Sequence, residues 1–260
     1  MYGCVHGDLF NVPRLLLPGG KFQIKFTKSK SDFYIMRTKA DTGVILKFLD
    51  ATLHVRHVKP YPTIKLAHAK ALEKVNARYD LVTVALKIFT FGAGSKSVSI
   101  DNAVLGILPK RMLFTILRNA DFSGSTDTNT YLFRHFGLNY FVMYINGRQV
   151  SSKGLSLNTA DAKTSMMAYQ TLFSGLGIHE GNKGIQITLT QFTKGSFMLI
   201  FDLTPDGCAS DGHTSLPDTG NIRIELKFDE ALAEAVTILL YQKFDTSIQI
   251  DRLRNVLTHF

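Results

Sequence analysis

From Ile222 to Phe228 the chain alternates without a break: Ile222, Ile224, Leu226 and Phe228 are apolar, and Arg223, Glu225 and Lys227 are charged. A period of two places one set on each face of a strand, so this segment is satisfied only when one face meets a core and the other meets water. The same pattern recurs at 21–28, with Phe22, Ile24 and Phe26 against Gln23, Lys25 and Thr27. It recurs again at 52–58, with Leu53 and Val55 against His54 and Arg56, and at 185–190. Residues 81–91, 112–117, 138–145, 197–203 and 236–244 are apolar in both registers and read as central strands covered on both sides. Asn146-Gly147 separates two such runs and supplies the pair of positive-φ residues that a tight hairpin requires.

Helical spacing is rare. One stripe is Ile64, Ala67, Ala71, Leu72 and Val75, following Pro60 and Pro62. The other is Met166, Tyr169, Leu172 and Phe173, with Thr159 and Asp161 as capping residues before it and Gly175 and Gly177 after its end. About ten strands with two short helices describe a mostly β sandwich. The strand pattern stops at Pro60-Tyr61-Pro62, a helix crosses, and a fresh series begins near Leu81, which marks a boundary across 59–79. The strands before it are too few to close a sandwich of their own.

With 260 residues, 45% of them hydrophobic, the chain can bury one large core or two small ones. Its apolar runs, such as 236–241, are far short of the ~20 residues of a membrane helix, and residues 1–8 lack a signal-peptide pattern, so the expectation is a soluble protein without a membrane partner. Cys4 and Cys208 stand at opposite ends of the chain, which suggests neither a disulfide framework nor a zinc ribbon. A net charge of +9 leaves nucleic acid open as a partner, yet no block of five or six like charges occurs. The charge reads as thinly spread over a solvated, mildly basic surface.

Chemistry-bearing patterns are weak. Gly92-Ala93-Gly94-Ser95-Lys96-Ser97 follows a strand but lacks the glycines of a phosphate loop, and Ser97–Ile100 returns to strand alternation where a helix would have to open. The 204–221 loop collects Asp206, Cys208, Asp211, His213 and Asp218, residue types that bind metals or act as acid and base. A third ligand at matching strand positions is missing, and Pro205, Gly207, Gly212, Pro217 and Gly220 mark a connecting loop. His54 and His57 fall on opposite faces of one strand, and His135, His179 and His259 are isolated. Phe133, Phe136, Tyr140, Phe141 and Tyr144 lie in apolar strands, where packing is the expected role. No catalytic, cofactor-binding or metal residue is assigned, and no enzyme activity is expected.

The run Ile45-Leu46-Lys47-Phe48-Leu49-Asp50-Ala51-Thr52-Leu53-His54-Val55-Arg56, followed by Leu66-Ala67-His68-Ala69-Lys70-Ala71-Leu72, resembles the junction between the two jelly rolls of large-DNA-virus-type major capsid proteins. In particular it is similar to the hexon-like capsid protein of Polinton (Maverick) elements and adintoviruses. The resemblance continues through Leu108-Pro109-Lys110-Arg111, Phe122-Ser123-Gly124, His135-Phe136-Gly137-Leu138, residues 169–175, 201–206 and 220–223, and ends at 250–256, so that it covers about 7–260.

The resemblance implies a second jelly roll over 80–260, a linker helix within 63–79, and the closing strands of an incomplete first jelly roll over 1–62. It implies homotrimers with a pseudo-sixfold outline that tile an icosahedral shell, with neighbouring capsomers, penton and minor capsid proteins as partners and non-specific contact with packaged DNA. The expected location is the virion capsid, and the cytoplasm or nucleus within a host cell. The part that builds most of the first barrel is missing, so the expectation is an N-terminally truncated or endogenous copy. Two other readings stand beside it: a host-repurposed single jelly-roll interaction module that forms no capsid, and a metal-dependent jelly-roll enzyme using His213 and nearby acids.

Overall fold

The structure, a computed structural model, describes residues 3–19, 22–36, 45–150, 153–157, 165–179, 181–182, 184–209 and 215–259. Among these, the chain begins with α1 (Asp8–Asn11), α2 (Ser31–Tyr34) and α3 (Pro62–Leu72). It continues through β1 (Ala77–Phe91), β2 (Ser97–Ile107), β3 (Arg111–Arg118), α4 (Asn119–Ser123), β4 (Leu138–Ile145), β5 (Arg148–Gln149) and β6 (Leu155–Ser156). The remainder is α5 (Met166–Leu176), α6 (Leu189–Lys194), β7 (Met198–Asp202), β8 (Thr219–Phe228), β9 (Val236–Ile250) and β10 (Val256–His259).

One sheet runs β1-β9-β3-β7 with β10 added to β9, and the other runs β2-β8-β4-β5 with β6 added to β4. The chain changes sheet at every step from β1 to β4 and again from β7 to β9. That interleaving of two Greek keys is a jelly-roll sandwich.

The chain divides into two compact units: Met1–Lys28, Gly43–Thr83 and Asp245–Phe260 form the first, and Ser29–Thr42 and Val84–Phe244 form the second. The second unit holds the main core. On β8, Ile222, Ile224, Leu226 and Phe228 are buried while Arg223 and Lys227 are exposed, the division that their alternation demands. Opposite them, Met112, Phe114 and Ile116 of β3 and Ile238 and Leu240 of β9 are fully buried. Phe141 of β4 joins the two layers: its ring meets Phe114 edge-on at 4.9 Å and stacks on Phe201 at 5.3 Å.

The first unit has much less core. Tyr79 is buried, donates its hydroxyl to Leu15 O (3.1 Å) and accepts from Leu17 N (3.2 Å). Asp8 accepts from Val82 N at 2.8 Å, and Asn76 donates to Gln249 at 3.2 Å.

Several expectations hold. The strands expected at 81–91, 112–117, 138–145, 197–203, 222–228 and 236–244 are β1, β3, β4, β7, β8 and β9, and β9 runs on to Ile250. The Asn146-Gly147 turn has φ of 51° and 78° and pairs Ile145 with Arg148. Helices occupy 62–72 and 166–176; Thr159 and Asp161 lie outside the described residues.

Other expectations are corrected. Residues 22–28 and 52–58 carry the alternation of strands but adopt no regular secondary structure: a strand needs ladder partners, and among the described residues none pairs with them. Residues 185–190 are not a strand either. Thr188 caps α6: its Oγ1 accepts from Gln191 N at 3.3 Å and Gln191 Oε1 accepts from Thr188 N at 2.9 Å. Gly175 lies inside α5, and Gly177, at φ 68°, is the residue that ends it. Phe133 and Phe136 sit outside the named strands, Phe133 in an isolated bridge to Ser196 and Phe136 in a turn at φ 49°.

Candidate assembly surface

The residue types that carry chemistry are dispersed. Among the described residues, no three of His, Cys, Asp and Glu come together as a metal site would require. Asp211 and His213, on which the metal-site reading depended, lie outside the described residues. The rest of that loop spends its polar atoms on its own backbone. Asp202 accepts from Thr204 N, Thr204 Oγ1 and Ala209 N at 2.6–3.0 Å, and Asp206 and Thr204 both accept from Cys208 N. Such turns hold a connection in shape and leave few lone pairs for a ligand.

The glycine-rich segment between β1 and β2 is equally committed. Gly94 N donates to Leu232 O at 2.7 Å, Ser95 O accepts from Leu232 N at 3.0 Å, and the chain enters β2 at Ser97 without opening a helix. His54 and His57 are exposed on irregular chain and not on a strand, and His179 is exposed.

His135 lines a cavity of about 10 Å³ with Ser165, Phe192 and Phe197, room for one water and far below what a small-molecule ligand needs. Its Nδ1 accepts from Gly137 N at 3.1 Å, so the neutral ring carries its proton on Nε2. Burial lowers its pKa from 6.5, and the charge of Asp229 opposes that shift in part.

Surfaces, by contrast, are well differentiated. On β1, Val84, Leu86 and Ile88 are 45%, 50% and 44% exposed and share a face with Thr90. Thr90 Oγ1 lies 3.4 Å from Thr237 Oγ1 of β9, whose neighbours Val236 and Ile238 point into the core, so this face of β1 looks outward. The reading of 81–91 as covered on both sides is therefore corrected. β1 ends its sheet, and only Phe89 and Phe91 among its larger apolar side chains in this unit pack on the core.

The outer face of the other sheet has the opposite character. Arg223 pairs with Asp101 at 2.9 Å and Glu225 at 2.6 Å and lies over Tyr144, while Lys227 lies over Tyr140. The outward side of β1 is thus apolar, whereas the Arg223–Lys227 patch of the other sheet is charged and internally paired.

The β1 edge adds a second feature. Within one strand, the N–H and C=O groups of alternate residues point to the same side. Arg78 O accepts from Arg14 and Val82 N donates to Asp8, so the even-numbered residues direct their backbone groups away from β9. Val84, Leu86 and Ile88 continue that parity along an open edge.

In the first unit, Phe26, Ile45, Phe48 and Leu49 are 69–95% exposed, with Leu53, Val55 and Val58 exposed beside them. Apolar exposure on this scale marks a surface made to be covered. Alternation alone did not reveal the outward β1 face; Thr90, a polar position on that face within an apolar run, was the available signal.

No family model and no curated protein matches the chain. Solved structures with a related course of the chain include the PBCV-1 virus capsid (8% identity, TM-score 0.42, covering 75% of this chain and 54% of that one). They also include the Sputnik virophage structure (11%, 0.42, 71% and 39%) and the mavirus major capsid protein (8%, 0.38, 71% and 41%). The chain spans 39–54% of the length of these structures. Likeness at that level is too loose to carry structural inference, and the jelly roll is established by the strand order of the chain itself.

Proposed function

We propose that the chain is a structural subunit of an icosahedral virus-type shell, part of a hexon-like double-jelly-roll major capsid protein similar to those of Polinton elements and adintoviruses. In this reading 80–260 is the second jelly roll, 63–79 contains the linker helix, and 1–62 belongs to a first jelly roll. Its partners are further copies in a homotrimer, neighbouring capsomers, and penton and minor capsid proteins, and its place is the virion capsid. The role is one of shape, not of catalysis.

The observation that carries the reading is a jelly roll with a charged, self-paired outer patch on one sheet and an edge strand, β1, that presents Val84, Leu86 and Ile88 outward; the first unit separately exposes Phe, Leu and Ile side chains. An enzyme or small-ligand domain needs a concave site; a shell subunit needs broad surfaces that bury on assembly. Fold alone does not assign function, so the test is assembly itself. Light scattering coupled to size exclusion is expected to give a discrete species near three times 29.0 kDa. A clean monomer at assembly concentrations overturns the reading and leaves a single-barrel interaction module.

A further inference from the structure

The net charge of +9 is shared unequally between the two units. Met1–Lys28, Gly43–Thr83 and Asp245–Phe260 contain 13 Lys and Arg against 6 Asp and Glu, a net +7, whereas Ser29–Thr42 and Val84–Phe244 contain 17 against 15, a net +2. Charge that looks thinly spread along the chain is concentrated in space, because the fold gathers three separate stretches into the smaller unit.

These cations are also available. Lys47, Arg56, Lys59, Lys65, Lys70 and Lys74 are exposed, and among the described residues no carboxylate lies within ion-pair distance of any of them. Ion pairs within the unit include Arg78–Asp80 and Arg252–Glu73. Like charges left together on one body repel, and a polyanion relieves that repulsion while releasing its own condensed counterions. Exposed Phe48 and Tyr61 and the histidines His54, His57 and His68 lie between the cations, rings on which bases can stack.

An anionic membrane fits less well. Ile64 and Leu66, the exposed large apolar residues of α3, are two positions apart and so face opposite ways, without the single apolar stripe of an interfacial helix.

We propose that the first unit is a sequence-independent nucleic-acid-binding surface, its lysines and arginines meeting backbone phosphates.

The experiment is fluorescence anisotropy of a labelled 30-base-pair duplex with the full chain across a series of salt concentrations. The variant K47Q/R56Q/K59Q/K65Q is compared with K96Q/R148Q/K194Q/K227Q, four exposed cations of the second unit, and with the charge-preserving K47R/K59R/K65R. At about 0.9 in the log–log salt slope per phosphate contact, the first variant is expected to lower the slope by about 3 to 4. The second is expected to lower it by less than about 1, and the arginine variant to keep it. Absence of duplex binding by the unmodified chain at low salt overturns the proposal, as do equal slopes in the two glutamine variants. Binding to phosphatidylcholine–phosphatidylserine vesicles in preference to the duplex also overturns it, in favour of a membrane surface.

Discussion

Gly175 sits inside α5 facing the edge of β7, where an added Cβ would fall within 3.0 Å of the Ile200 carbonyl, a separation that real Cβ atoms do not show. The helix is held there by Thr171, whose hydroxyl accepts from Ile200 N at 3.4 Å, so it covers an edge that would otherwise be open. Gly175→Ala gains helix propensity but forces the helix off the strand. It is expected to lower unfolding free energy by about 1–3 kcal/mol, read by chemical denaturation. His135 supplies the pH dependence at this scale. Its pKa in the folded chain lies below 6.5, so the unfolded chain binds the proton more readily. The stability it contributes is present above 6.5 and declines as pH falls below that value. Protonation also removes the Nδ1 acceptor used by Gly137 N. The thermal midpoint is expected to drop between pH 7.5 and 5.5 by less in His135→Gln than in the unmodified chain; equal drops in the two would remove His135 as the cause.

At the scale of elements, β1 shows how one strand serves two tasks. Phe89 and Phe91 pack on the core, while Val84, Leu86 and Ile88 face outward on an edge strand. Leu86→Glu replaces an exposed side chain and leaves the sandwich core untouched, so the unfolding free energy of the isolated subunit, read by chemical denaturation, is expected to stay within about 0.5 kcal/mol of the unmodified value. The same substitution places a charge in the proposed subunit contact and is expected to shift the light-scattering mass from trimer toward monomer. A trimer of unchanged affinity would exclude this face from the contact. Element identity was legible where the pattern was local. Asn146-Gly147 named its hairpin, and β8 named its buried face. Residues 185–190 misled because Ile185, Ile187 and Leu189 alternate, although Thr188 and Gln191 stand at the spacing of a capping box and signalled a helix start.

For the whole molecule, the chain by itself determined that it is a β sandwich, because period-two alternation and turn chemistry act over a few residues. Only the tertiary structure decided which strands obtain partners, since the hydrogen bonds of a ladder come from residues far away in sequence and the pattern names a face without naming its neighbour. For that reason 52–56 alternates as 222–228 does, yet only the latter is a strand. The interleaved order β1-β9-β3-β7 and β2-β8-β4-β5, the outward apolar face of β1 and the gathering of positive charge into one unit were likewise decided in three dimensions. Each depends on which distant segments the fold brings side by side, and packing sets that relation where local periodicity cannot.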